Sequence, residues 1–150
     1  FVFSLQAVYL IENSTVQGWY AILTFVVFFI GYYIFRESNY QKFQFRQDPS
    51  VIIWGKPART LDTKSGRKLL VSGWWGIARK VNYLGDILIA ISMSMPCGFG
   101  YAMPWLYPIY LTCLLINRAQ RDNDRCKIKY GEDWDKYCKE VPSTIVPYVY

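Results

Sequence analysis

Gly18 to Phe35, GWYAILTFVVFFIGYYIF, is 18 consecutive residues without a charge, and nothing else in the chain restricts its fold as much. Inside a bilayer every backbone N–H and C=O must be paired within its own segment, so an apolar run of this length reads as a helix crossing a hydrocarbon core about 30 Å thick. Trp19 and Tyr20 at one end, and Tyr32, Tyr33 and Arg36 at the other, are residue types that settle at the two membrane–water interfaces. With 53% hydrophobic, 19% aromatic and 19% charged residues, the chain is too aromatic for an average soluble domain and too charged to lie wholly in lipid. It reads as a membrane protein with a large wet face.

Two more apolar stretches, Leu84 to Met95 and Tyr101 to Ile116, flank the turn Pro96-Cys97-Gly98-Phe99-Gly100. The first carries Asp86 and the second Pro104 and Pro108. They predict two helices joined by a tight turn, tolerable in lipid when packed on other helices, with a soluble helical hairpin as the alternative. The chain opens at Phe1 inside the apolar run FVFSLQAVYLI, with no initiator Met and no signal-peptide pattern. The expectation is the C-terminal piece of a longer multi-span protein.

Charge sets the orientation. Arg36 to Lys80 holds ten Lys/Arg against three acids and Arg118 to Tyr150 seven against six, while the remaining segments hold no Lys or Arg. The positive-inside rule places both charged segments in the cytoplasm, with Glu12 to Gln17 and the Pro96 to Gly100 turn on the far side. Asn13-Ser14-Thr15 is a glycosylation acceptor pattern that faces the lumen in this topology. Gln47 to Ser72 reads as a polar loop punctuated by Gly and Pro. Cys97, Cys113, Cys126 and Cys138 lack metal-ligand spacing, and the chain has no His. A zinc site and His-based acid/base chemistry are therefore excluded within these residues, and reduced thiols are expected.

The basic segments admit several readings. Lys42 and Arg46, four apart, share one face of a continued helix, where they can grip one phosphate or simply meet lipid headgroups. Near them in the charge map stand Arg118, Arg121 and Asp122, with Trp74, Trp75, Asn82, Tyr83, Asp86, Tyr130 and Tyr137. Cations for phosphates, flat rings for stacking and carboxylates for ribose hydroxyls are what a nucleotide demands. An RNA surface needs similar residues, but these aromatics do not form a strand-borne stacking platform, so no nucleic acid is expected here. A dinucleotide site of the Rossmann kind is also excluded, since no glycine-rich strand-to-helix fingerprint occurs.

GYYIFRESNYQKFQFR from Gly31 to Arg46, then SGWWGIARKVNYLGD, NRAQRD, KYGEDWDKYCKEVP and the terminal PYVY together resemble the sterol reductases of the delta-14 and delta-7 type and the C-terminal half of the lamin B receptor. The likeness runs over essentially all 150 residues in order. It implies an all-α, polytopic membrane protein of the endoplasmic reticulum or inner nuclear membrane with about ten helices, helices being what lipid permits. Residues 1–150 are then the last part of one sterol reductase domain.

The same resemblance implies NADPH in a cytosol-facing pocket and a sterol in a second, lipid-open one. Lys42 and Arg46 match the basic pair on the adenosine phosphate side, Trp75, Asn82 and Tyr83 the wall around the cofactor, and Leu70 its edge. Asp122, Cys126, Lys127, Lys129, Tyr130 and Tyr137 match the remaining contacts, and Arg118 and Asp86 match positions that orient the others through ion pairs. Reduction of a sterol double bond takes a proton and a hydride, the nicotinamide supplying the hydride. Asp122 or a tyrosine belongs on the proton route only if an apolar surround keeps it protonated; otherwise the acid lies upstream.

Departures from the family pattern are Lys80-Val81 for His-Pro, Asn117 for His, Asn123 for Glu and Ser143-Thr144 for Tyr-Arg. The first expectation is a delta-14-type NADPH-dependent reductase. A lamin B receptor-like anchor, with lamin or chromatin as partners, and an isoprenylcysteine methyltransferase-like enzyme using S-adenosylmethionine are the alternatives.

Overall fold

The computed structural model describes residues 17–149 together with Gln6, Val8, Leu10 and Ile11. The Asn13-Ser14-Thr15 pattern and Glu12 lie outside the described residues. Helix α1, Gly18–Gln47, is 30 residues long, about 45 Å at 1.5 Å per residue. That exceeds the hydrocarbon core, so a bilayer spanned by the charge-free run would leave the last three turns, from Arg36 onward, outside it. Among the described residues α1 is the one helix both long and apolar enough to cross a membrane; Val81–Cys97 is apolar but shorter. Ile22, Val26, Phe29 and Tyr33 form an exposed stripe along α1, the face a bilayer or further helices would cover.

The segment expected to be a loop is instead folded, which corrects the all-α expectation to a mostly helical chain with two small sheets. Strands β1 (Ile52–Ile53) and β2 (Lys56–Pro57) form one antiparallel hairpin. Strands β3 (Thr60–Asp62) and β4 (Lys68–Leu70) form a second, with Thr60 opposite Leu70 and Asp62 opposite Lys68. Each keeps an apolar residue inward: Ile53 and Leu70 pack with Phe45 and Trp75 in one buried cluster. Burial of alternate residues holds such short strands, which would not persist alone.

After the one-turn helix α2 (Trp74–Ile77) comes α3 (Val81–Ser94). It packs along α1 at a glycine crossing. A Cβ on Gly31 would stand 2.8 Å from Leu88 Cβ, and one on Gly85 would stand 2.7 Å from the Phe35 backbone nitrogen. Small residues on both helices let the backbones meet, the usual way helices associate where lipid removes the hydrophobic drive. Two 3₁₀ turns, Met95–Cys97 and Met103–Trp105, carry the chain round to α4 (Leu106–Tyr130). The predicted helical hairpin is thus present. Buried Gln6 donates from Nε2 to Ser94 Oγ at 2.7 Å and to the Pro104 carbonyl at 3.0 Å, satisfying polar groups at the turn.

Helix α4 starts later than expected and runs further. Pro104 sits in the preceding 3₁₀ turn and Pro108 in the first helical turn, where a missing N–H breaks no bond. Beyond Ile116 the helix persists to Tyr130, because Ala119, Cys126 and Tyr130 keep an inward face amid charged neighbours. It ends at Gly131, φ 55°. Helix α5 (Glu132–Glu140) follows, with Glu132, Asp133 and Asp135 in its first turn, where carboxylates complement the helix dipole.

Candidate functional site

On the wet side of α1, between the cluster of Phe45, Ile53, Leu70 and Trp75 and that of Val71, Trp134, Tyr137 and Val141, lies a cavity of about 720 Å³. Four regions build it. The end of α1 supplies Lys42 and Arg46, the β3–β4 hairpin Arg67, Lys68 and Leu70, and the stretch through α2 Trp75, Arg79 and Lys80; α4 and α5 supply Asp122, Arg125, Cys126, Lys129, Tyr130, Trp134 and Tyr137. Eight cations therefore face one carboxylate across this cavity.

Trp75 fixes the floor: its Nε1–H donates to the Ser38 carbonyl at 2.8 Å, and Lys42 Nζ stands 4.0 Å above the ring centre. Burial, then the charges of Lys80 and Arg46, brings the Lys42 ammonium down to about 8. A group so desolvated among its own kind favours an incoming anion. Lys80 pairs with Asp122 through a close hydrogen bond, which, with Arg118 and Arg125 nearby, holds the Asp122 carboxyl below the usual carboxylate range. The surround is cationic rather than apolar and favours the ionised carboxylate, so the apolar setting on which an acid role for Asp122 was conditional is not found around it. Burial raises the Cys126 thiol and the Tyr137 phenol. Tyr130 stacks on Trp134 at 6.3 Å between centroids, and Trp134 meets Tyr137 at 5.1 Å, giving an aromatic wall.

Of the residues singled out in sequence, Lys42, Arg46, Leu70, Trp75, Asp122, Cys126, Lys129, Tyr130 and Tyr137 line this cavity. Asn82 sits on α3 facing α1, its Nδ2 at 3.5 Å from Asn39 Oδ1 and its own Oδ1 buried without a partner. Tyr83 packs with Leu115, Ala119 and Ile145, beyond Lys80, whose Nζ is 5.7 Å from its ring centre. Arg118 and Lys127 are exposed on α4. Among the described residues neither Arg118 nor Asp86 forms the ion pair expected of it; Lys80 is the partner Asp122 takes.

Sequence reading missed Arg67, Lys68, Arg79, Arg125 and Trp134 as cavity residues and gave Lys80 only as a departure from the family pattern. Arg79 is a hub whose guanidinium donates to Asn123 Oδ1 at 3.3 Å, the Cys138 sulfur, the Pro142 carbonyl at 3.3 Å and Thr144 Oγ1 at 2.9 Å. The backbone N–H groups of Arg79 and Lys80 donate to Ser143 and Thr144 carbonyls, strapping the tail across the site. The departures at Lys80, Asn123, Ser143 and Thr144 thus converge on one knot, and Trp134 Nε1–H also donates to Asn123 Oδ1 at 2.9 Å. Asn117 stands apart and exposed. The signal for Arg79 was its adjacency to the Trp-Trp motif, and for Lys80 that adjacency and its departure from the family pattern.

Comparison with known proteins covers the whole chain. The delta(14)-sterol reductase of Methylotuvimicrobium alcaliphilum is 48% identical over 100% of this chain and 35% of its own length. That of Arabidopsis thaliana is 49% identical over 100% of this chain and 40% of its own, and the delta(14)-sterol reductase TM7SF2 of Mus musculus 46% over 100% and 36%. The chain spans about a third of the length of such curated relatives. The family model for ergosterol biosynthesis ERG4/ERG24 proteins matches residues 1–150, and with relatives this similar along every part of it, the chain belongs to the ERG4/ERG24 family.

Proposed function

We propose that this chain is the cofactor-binding part of an NADPH-dependent delta-14-type sterol reductase of the endoplasmic reticulum membrane, its cavity facing the cytosol and its sterol site completed by helices outside this chain. The observation that carries the reading is the imbalance of eight cations to one carboxylate around a cavity of about 720 Å³ floored by Trp75. A dinucleotide phosphate brings a pyrophosphate, a further phosphate, two ribose units and flat rings, and each has chemistry to meet it here. Lys42 and Arg46, one turn apart, suit the additional phosphate; Arg67, Lys68 and Lys129 suit the pyrophosphate. Ionised Asp122 suits a ribose hydroxyl.

When bound, NADPH supplies a hydride. This chain's residues hold and orient it and exclude water from Trp75 and the aromatic wall. The same imbalance argues against S-adenosylmethionine, whose sulfonium is cationic and which has no phosphate.

The test is calorimetry on the full-length parent in detergent with NADPH, NADH and S-adenosylmethionine, alongside an Arg46→Ala variant. Expected are binding that prefers NADPH and a loss of about tenfold or more in Arg46→Ala, the worth of a charge-assisted phosphate contact. Equal affinity for NADH, or no binding by folded protein, would overturn the reading.

A further inference from the structure

The β1–β2 hairpin carries a tryptophan where a tryptophan is badly suited. Its two-residue turn is Trp54-Gly55, with φ 51° and 74°. Both positions of such a turn need positive φ, which is why Asn-Gly is the favoured pair. A bulky side chain there is strained, and strain of this kind persists where placement of the side chain matters. The hairpin is pinned from inside by Ile53, buried against Phe45, Leu70 and Trp75. Alternation then turns Ile52 outward, 68% exposed, and leaves Trp54 57% exposed at the tip.

Position supplies the second observation. Trp54 meets Trp74 edge-to-face at 5.6 Å, and Trp74 meets Tyr33 edge-to-face at 6.4 Å. Tyr33 lies two residues before the end of the charge-free run of α1 and belongs to its exposed stripe. Two edge-to-face contacts thus link the hairpin tip, through Trp74, to the part of α1 where a helix crossing the bilayer would leave it. Lys56, two residues after Trp54, is exposed, and so is Arg36 on α1, three residues after Tyr33, whose guanidinium donates to the Tyr32 hydroxyl at 3.4 Å. An exposed indole and an exposed aliphatic side chain, with cations on the same two elements and a ring contact that leads to an interfacial tyrosine, match the headgroup layer of a phospholipid bilayer.

We infer that the β1–β2 hairpin is a membrane foot: Trp54 and Ile52 seat in the headgroup layer of the leaflet from which α1 emerges, with Lys56 and Arg36 on lipid phosphates. The foot fixes the height and tilt of the wet half of the molecule above the bilayer. It depends on α1 crossing the membrane and is independent of what the cavity holds.

The test uses the full-length parent in vesicles of phosphatidylcholine and phosphatidylserine, with phosphatidylcholine brominated either close to the headgroup or near the chain ends. The difference in emission between the natural protein and Trp54→Phe isolates the Trp54 indole. Expected is quenching by the shallow bromines, weaker quenching by the deep ones, and loss of that component in Trp54→Phe. Trp54→Asn, better suited to the turn, should keep the fold and lose the same component. A lipid-resident diazirine label on the unsubstituted protein should add to the peptide containing Trp54. Quenching of the Trp54 component by iodide from water, or by neither agent with no diazirine addition, would overturn the foot, the first placing the tip in solvent and the second against protein.

Discussion

Lys42 is the residue whose chemistry is most exposed to test. Its ammonium, brought down to about 8 by burial and by Lys80 and Arg46, is charged at neutral pH and loses its proton through mild alkali. Since the folded value lies below the unfolded one, charging Lys42 opposes folding at pH 7, and the opposition fades as pH rises past 8. For an anionic ligand the sign reverses: affinity should be steady below about pH 8 and fall by up to about tenfold per unit above it, with Lys42→Arg flattening the profile. Calorimetry across pH 7 to 9.5, roughly one proton-binding range, checks this. Asp122 behaves oppositely: its lowered carboxyl contributes stability above its unfolded value near 3.9, lost as pH falls through the folded one. Asp122→Asn should therefore reduce the acid sensitivity of unfolding, followed by fluorescence. Lys42 and Arg46 were legible because four-residue spacing puts both on one helix face. Lys80 and Arg79 were not, because their partners Asp122, Asn123 and Thr144 are between 42 and 65 residues away.

Between elements, two contacts decide how the site is held. At the α1–α3 crossing the atoms facing Gly85 are backbone, the Phe35 nitrogen and the Gly31 carbonyl oxygen, which no rotamer change can move aside. Gly85→Ala should cost about 1–3 kcal/mol as overpacking, read as a lowered Tm of the detergent-solubilised full-length protein. At the other side, buried Asp133 of α5 accepts from the Lys64 backbone N–H at 2.8 Å and ties the β3–β4 hairpin to the last helix. Asp133→Ala should speed amide hydrogen exchange across Lys64 to Lys68 and loosen the rim that carries Arg67 and Lys68, with α1 exchange unchanged. Helix positions were readable from apolar period and proline; the hairpins were not, because strands of two and three residues leave too short a pattern to separate from a loop.

Across the molecule, apolar and cationic surfaces are segregated. The exposed stripe of α1 lies toward one end, and a cavity with eight cations lies at the other. An anion entering that cavity meets a field summed over all of them, so its binding should weaken several-fold between low and physiological ionic strength, where the screening length falls to about 8 Å. Titration of the full-length protein with NADPH at a series of salt concentrations measures this; salt-independent affinity would separate the ligand from the cations.

Membrane character, a helix long and apolar enough to span with aromatic ends, a helical hairpin after it and membership of a sterol reductase family were all present in the order of the residues, because hydrophobic length, charge bias and motif order are local or one-dimensional properties. The pairing of Lys80 with Asp122, the Arg79 knot that binds the tail, the two hairpins and the displacement of Asn82, Tyr83 and Arg118 from the cavity wall are of another kind. Each depends on which of several chemically equivalent partners a distant segment delivers. That is settled only when Gly31 and Gly85 let α1 and α3 close together and the buried aromatic clusters fix where every other element must stand.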